Sequence, residues 1–211
     1  MNTSVRQPRV ERREQIARAA LQIIGEQGLT SLSTATLAKH VGLSSGGLFR
    51  HFESFEEILA EAAHIAVTML EATFPDPDLP PTDRIRTLAL NRVKVLGGNP
   101  GVTWLLMSQQ ARLTLPPESV TELQAMVRRS RVFLRSAVQE GRAEGSIRSD
   151  LDPDALLVTI FGTVHTLIGM QGVASGGKQN AEAVMDSLLT MLRPVEPVRA
   201  AGPSETNRRA S

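Results

Sequence analysis

Apolar residues recur along this chain at one period only, the roughly 3.6-residue repeat of an α-helix, and no run alternates for long as a strand would. Ile16, Ala19, Ala20, Ile23 and Ile24 fall at i, i+3, i+4, i+7 and i+8, a single stripe along a first helix that stops near Gly28. Such a chain can build a core only by packing helix on helix, so the expected fold class is all-α. With 211 residues it can bury that core without staples, as one large or two modest domains. The absence of cysteine removes disulfide scaffolds, thiolate metal sites and a cysteine nucleophile together.

Local punctuation divides the chain into about nine helices. Ser33 or Thr34 caps a short second helix over residues 34–40, Gly42 supplies a turn, and Ser44 caps a third helix. The first exposed turn of that third helix is Ser45, Gly46, Gly47 and Phe49, while Leu48 and Phe52 point back into the core. Ser54 opens a fourth helix with Glu57 three places on, the spacing of a capping box, and Phe55, Ile58, Ala62, Ile65, Ala66 and Met69 stripe it to about residue 73. The stretch FPDPDLPP breaks it. Further helices are expected over residues 82–96, from Pro100, from Pro117 to Gly141, from Pro153, and over residues 180–192. Three regions result: a helix-turn-helix head over residues 1–53 with a basic, flexible N-terminal arm, a larger helical bundle over residues 54–193, and a disordered tail over residues 194–211.

The stretch from Ala155 to Gly177 contains no Asp, Glu, Lys or Arg and is long enough to span a bilayer. Thr159, Thr163, His165, Thr166 and several glycines argue instead for a helix buried on all sides, which a homodimer provides. The expected dimer contact is therefore residues 153–173 and 180–192, with Gly162 and Gly169 allowing close approach, and no membrane partner. The polar, charged N-terminus lacks an apolar signal region, so the cytoplasm is the expected compartment. Residues 1–53 carry seven basic against four acidic side chains, a local excess that suits a polyanionic partner.

Two serines and two glycines directly before Leu48, Phe49, Arg50, His51 and Phe52 call for a backbone that something approaches closely. A phosphate-cradling enzyme loop fails on the missing lysine and spacing of a P-loop. Ser44, His51 and Glu53 sit on one small helix without a strand-turn-helix elbow, so no nucleophile constellation forms and no enzyme is expected. The four histidines lack metal-ligand spacing, so neither metal nor cofactor is expected. What remains is a helix-turn-helix whose third helix enters the major groove, or the same motif serving structure alone. A ligand-independent DNA-binding or architectural helical protein also stays open.

The segment RREQIARAALQIIGEQGLTSLSTATLAKHVGLSSGGLFRHFESFEEIL, within about residues 10–59, resembles the N-terminal domain of TetR-family transcriptional repressors. EGSIRSDLDPDAL, from Glu144 to Leu156, resembles an element that precedes the dimerising helices of many members. The resemblance implies an all-helical homodimer with two DNA-binding heads on a palindromic operator, released when a small effector enters the larger domain. It also implies that Thr34, Ala35, Ser45, Gly46, Gly47, Phe49 and His51 contact phosphates and bases of double-stranded DNA. Ser44 and Ser45 add hydroxyls at the helix start. Phe49 stands where the family usually has Tyr, and Phe55 where it usually has Lys, which deletes phosphate contacts that Arg50 or the arm residues Arg6, Arg9, Arg12 and Arg13 would replace.

An effector cavity needs apolar walls with a few polar handles. Trp104, Met107, Phe133, Phe161 and His165 are the expected wall residues, for a largely apolar effector. The fourth helix is expected to be the only long lever joining this region to the head.

Overall fold

The computed structural model describes residues 9–170 and 177–195, with side chains of the last helix described from Ala181. Among these residues the chain forms α1 (Arg9–Gln27), a 3-10 turn (Leu29–Ser31), α2 (Thr34–His40), α3 (Ser45–Leu48) and α4 (Phe55–Glu71). The remainder is α5 (Pro81–Gly97), α6 (Pro100–Met107), α7 (Gln109–Thr114), α8 (Pro117–Glu144), α9 (Pro153–Met170) and α10 (Gly177–Met191). The all-α expectation holds, with ten helices where about nine were expected. The additional one arises at Ser108, whose extended backbone (ψ 129°) ends α6 and whose hydroxyl accepts the Gln110 N–H to start α7.

The head core is the α1 stripe closed by the short helices. Ile16, Ala20 and Ile23 are buried together with Leu37, Leu48, Phe52 and Ile58. The expected flexible arm is corrected from Arg9 onward, and residues 1–8 lie outside the described residues. Arg9 already begins α1, so Arg9, Arg12 and Arg13 stand on a rigid helix, while Arg6 lies outside the described residues, as do residues 196–211 of the expected tail.

α4 is not the only connection between head and body. α6 packs directly on α1 where Gly101 meets Leu21 and Gly25: a Cβ added at Gly101 would sit 2.0 Å from the Leu21 carbonyl oxygen, and one at Gly25 would sit 2.6 Å from the Gly101 nitrogen. Only glycine lets the two backbones come this close.

In the body, α8 packs against α4, α5 and α9, and α10 closes over α5. Arg84 of α5 pairs with Glu140 of α8, and Arg86 of α5 meets Asp186 of α10 at 2.7 Å. α8 runs past Gly141 to Glu144 and ends where Gly145 turns left-handed (φ 82°). Gly141 is instead the seat of buried Ile147, whose Cδ1 would lie 2.7 Å from a Cβ added there.

α9 is the described helix long and apolar enough by composition to cross a membrane, with mean hydropathy 1.3. One side is buried through Leu156, Leu157, Ile160, Val164, Leu167 and Ile168. The other is open, through Val158, Thr159, Gly162, His165, Thr166 and Gly169. Among the described residues α9 is thus buried on one side only.

Candidate nucleic-acid interface

The two short helices are set by their caps. The Ser33 hydroxyl accepts the Thr36 N–H at 3.2 Å, and Thr36 Oγ1 accepts the Ser33 N–H at 2.9 Å, a reciprocal pair that starts α2. Gly42, at φ 69°, makes the turn that a side chain would strain. Ser44 then caps α3, its hydroxyl accepting the Gly47 N–H at 3.1 Å. The helix proper is a single turn, two of its four residues being glycines with poor helix propensity. Hydrogen bonds from the His51 N–H to the Leu48 carbonyl (2.9 Å) and from the Phe52 N–H to the same oxygen (3.1 Å) carry the turn onward.

The apolar underside is Leu48 and Phe52, both buried. Ser44, Ser45, Gly46, Phe49 and Arg50 face solvent, with Gly47 and His51 half-buried beside them. Thr34 is half-buried and Ala35 exposed at the start of α2. The nine expected DNA-contacting residues therefore form the outer surface of one motif.

His51 carries the electrostatic signature of this surface. Its Nδ1 is buried without a hydrogen-bond partner among the described residues. Burial pushes the imidazole below its usual 6.5, and the charges of Arg12, Arg9, Arg13 and Arg50 push the same way, so the ring is neutral at pH 7. Its carbonyl accepts a 2.7 Å hydrogen bond from Arg13.

Arg13 has a structural task within the head. Its guanidinium reaches Glu57 at 2.8 Å and Glu61 at 3.0 Å on α4, and lies 4.1 Å from the Phe52 ring centroid. It ties α1, the recognition turn and α4 together. Arg12 similarly donates to the Val41 carbonyl at 3.0 Å. The i, i+4 carboxylates Glu57 and Glu61 were a legible sign that α4 wants a cation, but nothing local names Arg13. Glu57 also accepts the Glu53 N–H rather than closing a capping box with Ser54, and this bond, with Arg13, holds its carboxyl below the usual range. Phe55 is half-buried against the core, so the position where the family usually has Lys serves packing here. Arg9, Lys39 and Arg50 are exposed on the same head.

The five expected effector residues stand on three helices, Trp104 and Met107 on α6, Phe133 on α8, Phe161 and His165 on α9. Phe133 lines an open cleft of about 770 Å³ between the end of α4, the loop after it and α8, together with Phe74, Pro75, Val132, Arg128 and Arg129. Trp104 is half-buried against the core, and Met107 is exposed at the end of α6. Phe161 and His165 stack on each other, centroids 6.3 Å apart, on α9, where His165 is exposed. Residue type foretold which side chains were apolar, whereas helix rotation decides which of them share a wall.

A capped helix-turn-helix with a bare outer turn, mounted through α1 and α4 on a helical body, is the architecture of a DNA-binding regulator. Residues 16–62 match the family model for bacterial regulatory proteins of the tetR family, and residues 78–193 match that for the tetracyclin repressor-like C-terminal domain. The chain belongs to the TetR family of transcriptional regulators. It is 25% identical over 185 residues to the HTH-type transcriptional repressor KstR2 of Mycolicibacterium smegmatis, covering 86% of this chain and 88% of that one. Its fold matches the ketosteroid transcriptional regulator KstR2 of Mycobacterium tuberculosis with a TM-score of 0.73 at 21% identity, over 86% of this chain and 95% of that one. It also matches AibR in complex with isovaleryl coenzyme A and operator DNA, with a TM-score of 0.70 at 20% identity, over 86% and 97% of the two chains.

Proposed function

We propose that this regulator is a repressor acting in the cytoplasm: it binds a palindromic operator as a homodimer and releases it when a small, largely apolar effector enters the body. The observation that carries the DNA-contacting surface is Gly46. Its φ is not left-handed, and a Cβ added there would meet nothing within 4 Å. Nothing among the described residues accounts for a glycine that costs a helix about 1 kcal/mol. A groove wall pressed against the turn accounts for it, with Ser44, Ser45, Gly47, Phe49, Arg50, His51, Thr34 and Ala35 around it and sequence read at base edges.

Support for the homodimer comes from the open face of α9. The hydroxyls of Thr159, Thr163 and Thr166 each bond a carbonyl four residues back in their own helix, and Gly162 and Gly169 have open space around them. From Ala155 onward the face carries no Asp, Glu, Lys or Arg, with its hydroxyls already bonded and room for close approach, as helix-on-helix pairing with a second copy requires. α10 would complete the bundle, while residues 171–173 of the expected contact lie outside the described residues.

Effector release is supported by the cleft beside Phe133 and by two neighbours whose descriptions name a ketosteroid and isovaleryl coenzyme A. Ligand-driven movement of α4 or α6 would tilt the heads away from the spacing of about 34–36 Å that successive major grooves impose. Selection of bound duplexes from random DNA tests the reading. A palindrome with half-sites about one helical turn apart is expected; recovery of no enriched sequence overturns it.

A further inference from the structure

The arginines of α8 fall into two groups. Arg129 is bound to Glu71, Arg135 to Asp154, and Arg142 to the carbonyls of Leu151 and Ser149. Arg128 and Arg131, three residues apart on one face of the helix, have no acceptor among the described residues, and the same is true of Arg112 on α7. These three line one notch of about 250 Å³ between α6, α7 and α8. All three are exposed, and no carboxylate stands among the described residues of its wall.

Exposed arginines are solvated at little cost, so their charge alone marks nothing. The informative point is that they surround uncovered apolar surface. Leu105, Leu115 and Leu123 form the floor of the notch, and Val127 on its wall is 44% exposed. Leu113, next to Arg112 on α7, is 88% exposed. A volume of about 250 Å³ lies below the roughly 300–1,000 Å³ of small-molecule sites, so the notch suits an inserted side chain better than an enclosed ligand. A nucleic acid would bring phosphates to the arginines but no aliphatic group to the floor, and no aromatic side chain lines the notch for a base to stack on.

We propose that this notch docks an acidic segment of a partner protein, which seats an apolar side chain on Leu105, Leu115 and Leu123 and sets its carboxylates against Arg112, Arg128 and Arg131. The carboxylates would supply what the chain supplies to Arg129 and Arg135 from its own residues, and the apolar anchor would cover Val127. The proposal depends on neither the operator nor the effector reading.

A display library of random linear peptides is selected on the full chain and, in parallel, on the triple variant Arg112→Gln/Arg128→Gln/Arg131→Gln. The three side chains are exposed, so the variant melts within about 2 °C of wild type. The wild type enriches peptides in which Asp or Glu flank Leu, Ile, Met or Phe. Such a peptide, synthesised and titrated calorimetrically, binds the triple variant about tenfold or more weakly, and its affinity also falls with Val127→Ser or when its own Asp and Glu become Asn and Gln. The proposal is overturned if no enriched peptide depends on the three arginines, or if the dependent peptides are acidic without an apolar anchor. It is equally overturned if the triple variant enriches the same peptides as wild type while losing affinity for random-sequence duplex DNA or changing its sedimentation, the occupant then being a nucleic acid or a second copy.

Discussion

Replacing Gly101 by alanine would separate α6 from α1 at the point where the body touches the head. The added Cβ would start 2.0 Å from the Leu21 carbonyl oxygen, 2.7 Å from its carbon and 3.0 Å from its Cα, against an ordinary contact of 3.4 Å or more. All three are backbone atoms, so no rotamer change relieves the clash, and the helices must part by about 1.4 Å, the difference between 3.4 and 2.0 Å. Overpacking of this kind costs about 1–3 kcal/mol. For a chain of this size each kcal/mol lowers the midpoint by about 2–4 °C, so a fall of roughly 2–12 °C is expected in scanning calorimetry. The displacement does not stay local. Arg13 lies eight residues before Leu21 on the same helix, about 12 Å along its axis, and holds the His51 carbonyl at 2.7 Å, so the recognition turn is carried with α1. Weaker operator binding is therefore expected by fluorescence anisotropy. A Gly101→Ala protein that melts within about 1 °C of wild type and binds the operator unchanged would refute the claim that this crossing joins head to body.

Gly46→Ala is expected to leave the melting point unchanged or raise it by roughly 2–4 °C, since alanine is the better helix former and fits the space, yet to weaken operator binding at least about tenfold; equal DNA affinity would remove the glycine argument. Arg13→Met should lower the midpoint by roughly 2–8 °C, the loss of a charged hydrogen bond and two screened ion pairs worth about 1–2 kcal/mol together, and the gap to wild type should narrow at 1 M salt, read by thermal melts at two ionic strengths. The His51 pKa is depressed in the folded chain, so the unfolded state takes up its proton first as pH falls. Its contribution is present above the unfolded value near 6.5 and is lost as pH drops through the lower folded value. An imidazole titration by NMR should give a midpoint below 6.5, and His51→Gln should flatten the pH dependence of stability in that window; a midpoint at or above 6.5 contradicts the arrangement of arginines around the ring.

The elements whose cause is local were legible in the residue order. The caps at Ser33, Ser44 and Ser54 act on backbone groups three residues away, and the Gly42 turn concerns its own φ. The apolar stripes need only a helical period, which is why Leu48 and Phe52 could be assigned inward and Ser45, Gly46 and Phe49 outward before any packing was known. Only the tertiary structure decided which helices meet and in what rotation. That arrangement takes Arg13 from a supposed arm into a clamp on Glu57 and Glu61, brings Gly25 against Gly101, and sets Phe74 edge-on to Phe133. The physical reason is range: a cap or a period is settled within a few residues, whereas a salt bridge across 44 positions or a shared cleft wall depends on the free energy of packing every helix at once.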